Sequence, residues 1–413
     1  MVDRQWLHKL LHKHALDERL KKYDHLRIKY PILKDKALVL APMVDQSDLP
    51  FRLLCRSYNT NLCFTPMIHA KMFHLKEGYR KKFWDVVNGT PPEDRPLVVQ
   101  LCGSEKEHLK YTVESIIQSG TVDCIDLNCG CPQTIAKRGN YGAFLLEKED
   151  LLVDVVQFLV QEFGDKVPIS VKVRLLPSGL DDSFKLYKRL IDAGISMLTV
   201  HGRNRLQKGR DTGAADWRAI KQVVELFGDK IPILANGSIS NLDDVCACLQ
   251  ETGVDGVMSS EAILEYPALF TETNVRATNG KRTGPSRVQL AREYTDLGIK
   301  YPPDQGGQGN GIKCMRGHFH HIFHGDLWDR LDIRKNIAYA NSFDVLRTIC
   351  DDIEADQKQK GLAVEDETLE WYMRHRIDRT KKFLDENDVC QTDECDEVQQ
   401  DVDEPRKKIA RTN

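Results

Sequence analysis

The sequence predicts a protein of the α/β class, and three observations support this fold. Short apolar runs rich in β-branched residues alternate with stretches of helical periodicity between residues 37 and 264, which is the pattern of a parallel sheet with crossover helices. Eight such runs within one segment fit a closed barrel better than an open sheet. No G-x-G-x-x-G follows the first run, which argues against a dinucleotide-binding sheet. We therefore expect a TIM (β/α)8 barrel.

The elements of this barrel can be assigned in chain order. The strand candidates are residues 37–42, 62–66, 97–101, 123–128, 168–173, 196–201, 231–236 and 255–260. Helical periodicity and polar capping residues predict helices between the strands at 105–119, 149–163, 182–193, 215–227 and 241–252. Residues 37–275 would form this barrel domain.

The segments that flank the barrel differ from it in composition. Residues 1–36 predict an N-terminal helical extension, and residues 285–350 predict a smaller all-helical domain with a mobile Pro/Gly/Gln loop at 302–311. The charged C-terminal extension, 351–413, has 11 Lys and Arg against 19 Asp and Glu, so its net charge is −8 and that of residues 1–350 is +5. We expect an acidic tail that is disordered after about residue 385, while the mildly basic remainder permits a polyanionic partner.

The composition also bears on the cellular compartment. No apolar run approaches the roughly 20 residues of a membrane helix, and the first residues lack a secretory apolar region. Twelve cysteines are scattered along the chain, which favours free thiols in a reducing compartment. We expect a cytoplasmic or nuclear protein without membrane association, and no stable protein partner is evident.

Polar residues end nearly every predicted strand, and in a TIM barrel these ends form the active site. One barrel mouth would receive a cation, an imidazole, two amides and a glycine-bearing turn, a set that suits a planar, phosphorylated cofactor. The loops after strands seven and eight often hold a phosphate. The strand-end residues are Gln100, Asn128, Lys172, Arg174, His201, Arg203, Asn236, Gly237, Ser260 and Glu261.

The stretch DLNCGCPQ, residues 126–133, places Cys129 and Cys131 after a buried strand. Their C-x-C spacing with no paired histidine nearby argues against a metal site, and a disulfide between residues two apart would be strained. The residues themselves leave a buried structural thiol and a chemically active thiol open. For Cys124 and Cys129 we favour the structural interpretation.

Seven motifs follow one another in order over residues 37–265: LVLAPMVDQSDLPFR (38–52), VVQLCGS (98–104), DCIDLNCGCPQTIAKRGNYGAFLL (123–146), VKVR (171–174), LTVHGR (198–203), ILANGSI (233–239) and DGVMSSEAIL (255–264). In order, spacing and placement on strand ends these motifs resemble the tRNA-dihydrouridine synthases, and the helical segment to about 350 resembles the tRNA-binding domain of that family. Two details, PMVDQSDLPFR and NGTPPEDRPLVVQLCG, look most like the eukaryotic subfamily that acts on uridines 16 and 17 of the D-loop.

This resemblance implies a flavoenzyme that reduces tRNA uridines to 5,6-dihydrouridine. NADPH, or NADH, would reduce FMN, which passes hydride to C6 of the uracil, and Cys131 would donate a proton to C5. Asn128 would orient the uracil and Arg203 would contact the tRNA backbone. The implied FMN-binding residues are Pro42, Met43, Val44, Gln100, Lys172, His201, Asn236, Gly237, Ser238, Ser260 and Glu261. Ser260-Glu261 departs from the family, because bacterial relatives often have Gly-Arg there.

The resemblance further implies that the helical domain binds tRNA through interleaved cations and aromatic residues. The predicted set is Arg287, Arg292, Lys300, Lys313, Arg316 and Arg334 with Tyr294, Tyr301, Phe319 and Trp328. The run HFHHIFH, 318–324, is interpreted as an amphipathic helix near RNA. Alternative functions are an FMN-dependent dehydrogenase of dihydroorotate type, a Schiff-base aldolase with Lys172 as nucleophile, and a tRNA-binding protein without catalysis.

Overall fold

A computed structural model describes residues 6–14, 28–209, 212–271, 284–303, 311–327 and 330–360. Several predictions lie outside these ranges: the loop at 304–310, the role of Trp328, and the acidic extension beyond residue 360 with its disorder after 385. None of the described helices is long and apolar enough to cross a membrane.

The described strands form one parallel sheet that closes on itself. β1 pairs with β2 and β9, β2 also pairs with β4, and the later strands pair in chain order, so the predicted TIM barrel is confirmed. The strands are β1 Ala37–Leu40, β2 Leu62–Phe64, β3 Ile68–His69, β4 Leu97–Cys102, β5 Cys124–Cys129, β6 Ile169–Leu175, β7 Met197–Asn204, β8 Ile233–Asn236 and β9 Gly256–Ser259.

The second barrel position is split into two short strands, which the sequence did not predict. β2 and β3 both pair with β4, β2 through Cys63 beside Leu97 and β3 through Ile68 beside Leu101. Pro66 lies between them and has no N–H to donate to a ladder, so the strand breaks there.

The five predicted crossover helices are all present, and further short helices occupy the loops. The helices up to the end of the barrel are α1 Trp6–His14, α2 Leu49–Ser57, α3 Ala70–Leu75, α4 Glu77–Arg80, α5 Trp84–Asn88, α6 Lys106–Ile117, α7 Thr134–Arg138, α8 Glu149–Phe163, α9 Leu180–Asp192, α10 Trp217–Phe227, α11 Leu242–Thr252 and α12 Glu261–Glu265. The described ranges also contain 3₁₀ turns at Pro31–Leu33, Lys81–Phe83, Pro92–Asp94 and Gly142–Phe144.

Helix α1 closes the barrel at the end opposite to the strand C-termini. Its residues Leu7, Leu10 and Leu11 are buried in one cluster with interior side chains of the strands, among them Val39 and Met258. The interior below the mouth is therefore a packed apolar core and not a channel.

In the part of the chain that the structure describes, four helices follow the barrel: α13 Arg287–Lys300, α14 Ile312–Ile322, α15 Leu331–Tyr339 and α16 Phe343–Gln359. They belong to the same compact unit as the barrel. Helix α16 crosses residue 350, where the sequence placed the end of the helical domain. The helix buries Ile349 before this boundary and Ile353 one turn after it, so its apolar face continues beyond the change in composition.

Candidate active site

The predicted site residues meet at one face of the barrel. Gln100, Asn128, Lys172, His201 and Asn236 lie near the carboxyl ends of β4 to β8. Arg203 lies on β7, and the other predicted residues follow the ends of β1, β5, β8 and β9 along the chain: Pro42, Met43, Val44, Cys131, Gly237, Ser238, Ser260 and Glu261. Because parallel strands end at the same edge, all of these residues surround a single barrel mouth.

A chain of hydrogen bonds runs across the mouth from a buried carboxylate. Gln100 Nε2 donates to Asp126 Oδ2 at 2.8 Å, and Asn128 Nδ2 donates to Gln100 Oε1 at 2.8 Å. Asn128 Oδ1 accepts from the backbone N–H groups of Gly130 and Cys131 at 3.2 and 3.1 Å. Because a carboxylate only accepts, Asp126 sets which way both amides point. The chain therefore joins Asp126 to the loop that carries Cys131.

Asp126 is the site residue that the sequence analysis missed. It is fully buried, and it also accepts a hydrogen bond from Ser170 Oγ at 2.6 Å. Burial raises its pKa to about 6, against the opposing effect of its hydrogen bonds and of Lys172. A usable signal was present in the sequence, because Asp126 and Asn128 are two residues apart on one strand and share a face.

Lys172 and Asn236 make contact across the barrel interior. Lys172 Nζ on β6 donates to Asn236 Oδ1 on β8 at 2.8 Å, past the intervening β7, and Asn236 Nδ2 donates to the carbonyl of Met258. Burial, with Arg174 nearby, lowers the pKa of Lys172 to about 8. The ammonium has donors left over among the described residues, so an acceptor at the mouth would be strongly favoured.

Cys131 lies on a fixed loop beside these cations. Its carbonyl accepts from Ala143 N at 3.0 Å, and Arg174 Nε donates to the carbonyl of Gly130 at 2.7 Å. Gly142 has φ +65°, and a Cβ there would approach the Cys131 carbonyl to 2.6 Å. The thiol is partly buried, and its burial raises its pKa despite the opposing effect of Lys172 and Arg174. It therefore stays protonated at neutral pH.

The other two cysteines of this strand are inside the protein. Cys129 is the last residue of β5 and packs in the large apolar core, while Cys124 packs in the cluster inside the barrel. Burial raises the pKa of both thiols. Their positions match the structural interpretation made from the sequence.

His201, Arg203 and Ser238 form a second polar group at the mouth. Arg203 donates to the carbonyl of Gly213 at 2.7 Å and to His201 Nε2 at 3.1 Å, and lies 3.5 Å from Ser238 Oγ. Burial and three neighbouring cations keep the pKa of His201 well below its usual range, so the ring is neutral. Arg203 is only 5% exposed, which does not favour its predicted contact with the tRNA backbone and favours an anion inside the mouth.

The turn after β8 packs closely against this group. Gly237 has φ +106°, and a Cβ there would come 2.8 Å from Ala215 Cβ and 3.0 Å from the His201 ring, so only glycine fits. Ser238 has φ +60° and accepts from Ala215 N at 2.8 Å. The phosphate contact that the sequence analysis expected at this turn stays a prediction.

The loops after β1 and β9 complete the rim. Pro42 and Met43 are partly buried, and Val44 is exposed. Ser260 precedes α12, and Glu261 is close enough to Arg174 to oppose the lowering of its pKa. Glu261 therefore offsets positive charge on this side of the mouth.

The helical region presents fewer cations to solvent than predicted. Arg287 is 2% exposed and pairs with Glu265, and Tyr294 and Phe319 are fully buried. The sequence prediction that these three residues contact RNA is therefore wrong. They sit at positions where helical periodicity alone cannot separate a packed charge or aromatic ring from an exposed one.

Two more of the predicted cations are already engaged within the protein. Arg292 pairs with Asp351 and Glu354, and Arg316 donates to the carbonyl of Ala340 at 2.7 Å. Lys300, Lys313 and Arg334 remain exposed.

The histidine-rich run begins on α14 and is tied to the barrel through His318. His318 is fully buried, stacks on Phe51 with ring centroids 4.1 Å apart, and bonds to Asp48 Oδ2 at 3.0 Å. Residues 318–322 of the run lie on a helix, as the sequence predicted, and the proximity of this run to RNA stays a prediction. Asp48 also caps α2 through Phe51 N, so α14 is tied to the loop after β1. Among the described residues, no group of three or more His, Cys, Asp or Glu is arranged to hold a metal ion.

Comparison with known proteins identifies the family. Residues 39–375 match the model of the family described as dihydrouridine synthase. The chain is 39% identical over 308 residues to a Mus musculus protein named tRNA-dihydrouridine(16/17) synthase [NAD(P)(+)]-like, covering 74% of this chain and 59% of that one. It is 37% identical over 305 residues to the Saccharomyces cerevisiae tRNA-dihydrouridine(16/17) synthase [NAD(P)(+)], covering 74% and 69%.

A second Saccharomyces cerevisiae protein, tRNA-dihydrouridine(20a/20b) synthase [NAD(P)+], is 36% identical over 233 residues, covering 56% of this chain and 61% of that one. The chain thus spans about three fifths of the length of the mouse relative. The structure of a morphinone reductase in complex with tetrahydroNAD aligns with a TM-score of 0.40 at 12% identity, covering 56% of this chain and 84% of that one, a likeness too low to argue from. The family match, which extends from the barrel through all four C-terminal helices, shows that the chain belongs to the dihydrouridine synthase family.

Proposed function

We propose that this protein reduces uridines of the tRNA D-loop, at positions 16 and 17, to 5,6-dihydrouridine with FMN and NADPH or NADH. The names of its relatives support the reaction, the positions and the nicotinamide donor. The observation that carries the proposal is the position of Cys131, a thiol held protonated on a fixed loop beside Lys172 at the barrel mouth.

The residues of the mouth fit FMN. Gln100 keeps one N–H and one lone pair after its bonds to Asp126 and Asn128, which suits the alternating donors and acceptors of the pyrimidine end of the flavin. Lys172 would stabilise negative charge near N1 and O2. Arg203, His201 and the turn at Gly237 would hold the phosphate. FMN, when bound, supplies the hydride that is added to C6 of the uracil.

The other residues of the chain would then control the proton and the substrate. Hydride addition at C6 leaves negative charge over C5 and O4, so a neutral acid must stand near C5. The Cys131 thiol meets this need because burial keeps its proton on at neutral pH. Asn128 has one N–H left for the uracil, because the other is donated to Gln100 Oε1. Its Oδ1 accepts from the backbone N–H groups of Gly130 and Cys131, so its main role is to hold the acid in place.

One alternative has a specific observation in its favour. The lowered pKa of Lys172, about 8, would suit a lysine that forms a Schiff base. An aldolase would not need FMN, and borohydride would trap a carbonyl substrate on Lys172. Flavin in the purified protein, without such trapping, would exclude it. Location in the cytoplasm or nucleus and the absence of a stable protein partner remain predictions.

The proposal is tested with the full-length protein, FMN, NADPH and tRNA taken from cells that lack this protein. We expect bound FMN, oxidation of NADPH that depends on tRNA, and new dihydrouridine at positions 16 and 17, mapped by reverse transcription after borohydride treatment. Dihydrouridine at other positions would contradict the assigned sites. A protein that cannot bind FMN, or that oxidises NADPH without altering tRNA, would contradict the reaction.

A further inference from the structure

Three large aliphatic side chains are exposed on the loops that surround the barrel mouth. Val44 follows β1 and is 57% exposed, Ile135 follows β5 and is 61% exposed, and Leu206 follows β7 and is 58% exposed. Each lies on a different loop of the face where the site opens. Singly exposed aliphatic side chains are common on protein surfaces, so what distinguishes these three is their position beside the site.

Ile135 is the most informative of the three because of its place in the chain. It lies on α7, four residues after Cys131, and the next exposed residues are Lys137 and Arg138. Residues 127–146 contain no Asp or Glu. Among the described residues, neither Lys137 nor Arg138 has an ion-pair partner within 4 Å. The loop therefore offers an apolar side chain and two available cations directly beside the proposed proton donor.

Helix α7 is held in place by buried side chains and by backbone hydrogen bonds. Ala136 and Tyr141 are buried beneath it in a cluster that includes Cys131. The backbone is closed by bonds from Gly139 N to the Ile135 carbonyl at 2.9 Å and from Tyr141 N to the Ala136 carbonyl at 3.1 Å. Ile135 thus faces outward from an anchored turn. That turn fixes the position of Ile135 relative to Cys131.

We infer that α7 is the element that holds the uridine out of its stack, with Ile135 packed against the neighbouring bases and Lys137 and Arg138 on the flanking phosphates. This inference rests on the proposed function. A uridine must leave its stack to reach the barrel interior, and proteins that unstack bases often insert an apolar side chain between them. The two cations match the charge of the RNA backbone, and this complementarity favours RNA over a protein partner.

The test compares variants of the full-length, FMN-loaded protein. Ile135→Ala should lower kcat/KM for dihydrouridine formation about tenfold, because three carbons of apolar contact are lost. It should also lower the fluorescence change of 2-aminopurine placed next to the target uridine. FMN content and NADPH-driven flavin reduction without tRNA should not change. Leu226→Ala, on the outer helix α10 and 49% exposed, is the matched control and should behave as wild type.

The cations are tested by the salt dependence of tRNA binding. Lys137→Ala and Arg138→Ala should each reduce the slope of log Kd against log salt by about 0.8, the value of one lost phosphate contact. Lys230→Ala, before β8 at the opposite end of the barrel, should leave the slope unchanged.

Different results would contradict the role of α7 and the proposed function. If the wild-type protein forms dihydrouridine but Ile135→Ala keeps full activity and the two cation variants keep the wild-type slope, the role of α7 is refuted and the exposed Ile135 belongs to a protein contact. If the wild-type protein neither binds nor reduces tRNA, the proposed function fails, and this inference fails with it.

Discussion

Cys131 and Cys129 lie two residues apart, yet their thiols face different surroundings. Cys131 is partly buried beside Lys172 and Arg174, whereas Cys129 is enclosed in the apolar core. We expect Cys131→Ala to keep FMN and tRNA binding but to lose dihydrouridine formation by roughly 10²- to 10⁴-fold, the effect of removing a positioned proton donor.

Cys129→Ala is the control for this change, because it removes a thiol from the same segment. It should cost stability but little activity per folded molecule. The measurement is single-turnover formation of dihydrouridine by pre-reduced protein. Equal losses in the two variants would mean that the segment is structural and that the proton comes from another group.

Because the carboxyl group of Asp126 is buried, the free energy of unfolding should depend on pH. Its pKa of about 6 in the folded protein is above the ordinary value of 3.8, so between these pH values the folded state binds more protons than the unfolded state. Stability should therefore fall as pH rises from about 4 to about 6. Asp126→Asn removes this dependence.

The measurement is the free energy of unfolding by urea at pH 5 and at pH 7. Between these values, wild-type stability should drop relative to Asp126→Asn by roughly 1 to 2 kcal/mol. The lost acceptor for Gln100 Nε2 adds a cost that is the same at both pH values. If the free energy of unfolding changes equally in the two proteins between pH 5 and pH 7, Asp126 does not titrate in this range.

At the scale of elements, the loop after β1 is held by a helix far along the chain. Asp48 caps α2 through its Oδ1, while its Oδ2 accepts from Tyr294 and His318. The chain from Pro42 to Asp48 is thus bounded on one side by the predicted flavin contacts and on the other by α13 and α14.

His318→Ala should destabilise the protein by roughly 2 to 4 kcal/mol, because it opens a cavity beside Phe51 and removes a buried partner of Asp48. FMN retention should weaken as well, since the loop that carries Met43 loses its anchor. Urea unfolding and flavin content measure the two effects. Lys313→Ala, exposed on the same helix, should change stability by no more than about 0.5 kcal/mol; equal effects of the two variants would refute the anchoring role.

Helix α2 shows why some elements escaped prediction. Its buried face carries Arg52 and Arg56 among apolar residues, so the hydrophobic periodicity is broken. Arg52 is satisfied by Asp94 at 2.8 Å and Asp85 at 2.6 Å, partners 33 to 42 residues away. The barrel strands were predictable because their apolar runs need no distant partner, whereas a buried charge network can be recognised only once the chain is folded.

At the scale of the whole molecule, the predicted RNA-binding surface also depends on contacts between residues that are distant in the sequence. The strand-end rule located Gln100, Lys172, His201 and Asn236, because barrel topology alone brings strand ends together. It could not separate the cations of the helical region that face solvent from those held by Asp and Glu. That distinction depends on tertiary pairing.

Only the exposed, unpaired cations of the helical region should contribute to tRNA binding. A double variant, Lys300→Ala with Lys313→Ala, should reduce the slope of log Kd against log salt by up to about 1.5. Arg292→Ala should leave the slope unchanged, because this side chain is already paired with Asp351 and Glu354. An effect of Arg292→Ala as large as that of the double variant would place the RNA on the face of α13 that carries Arg292.

The closed bottom of the barrel has a consequence for biosynthesis. Leu7, Leu10 and Leu11 on α1 share their cluster with Met258, and β1 pairs with β9 through Ala37 and Gly256. Helix α1 is synthesised long before β9 and therefore has no complete docking surface until β9 has been synthesised. Contacts this distant in sequence form slowly, and the interval exposes apolar surface on the nascent chain. Chaperones that bind nascent chains should therefore protect α1 until translation passes β9.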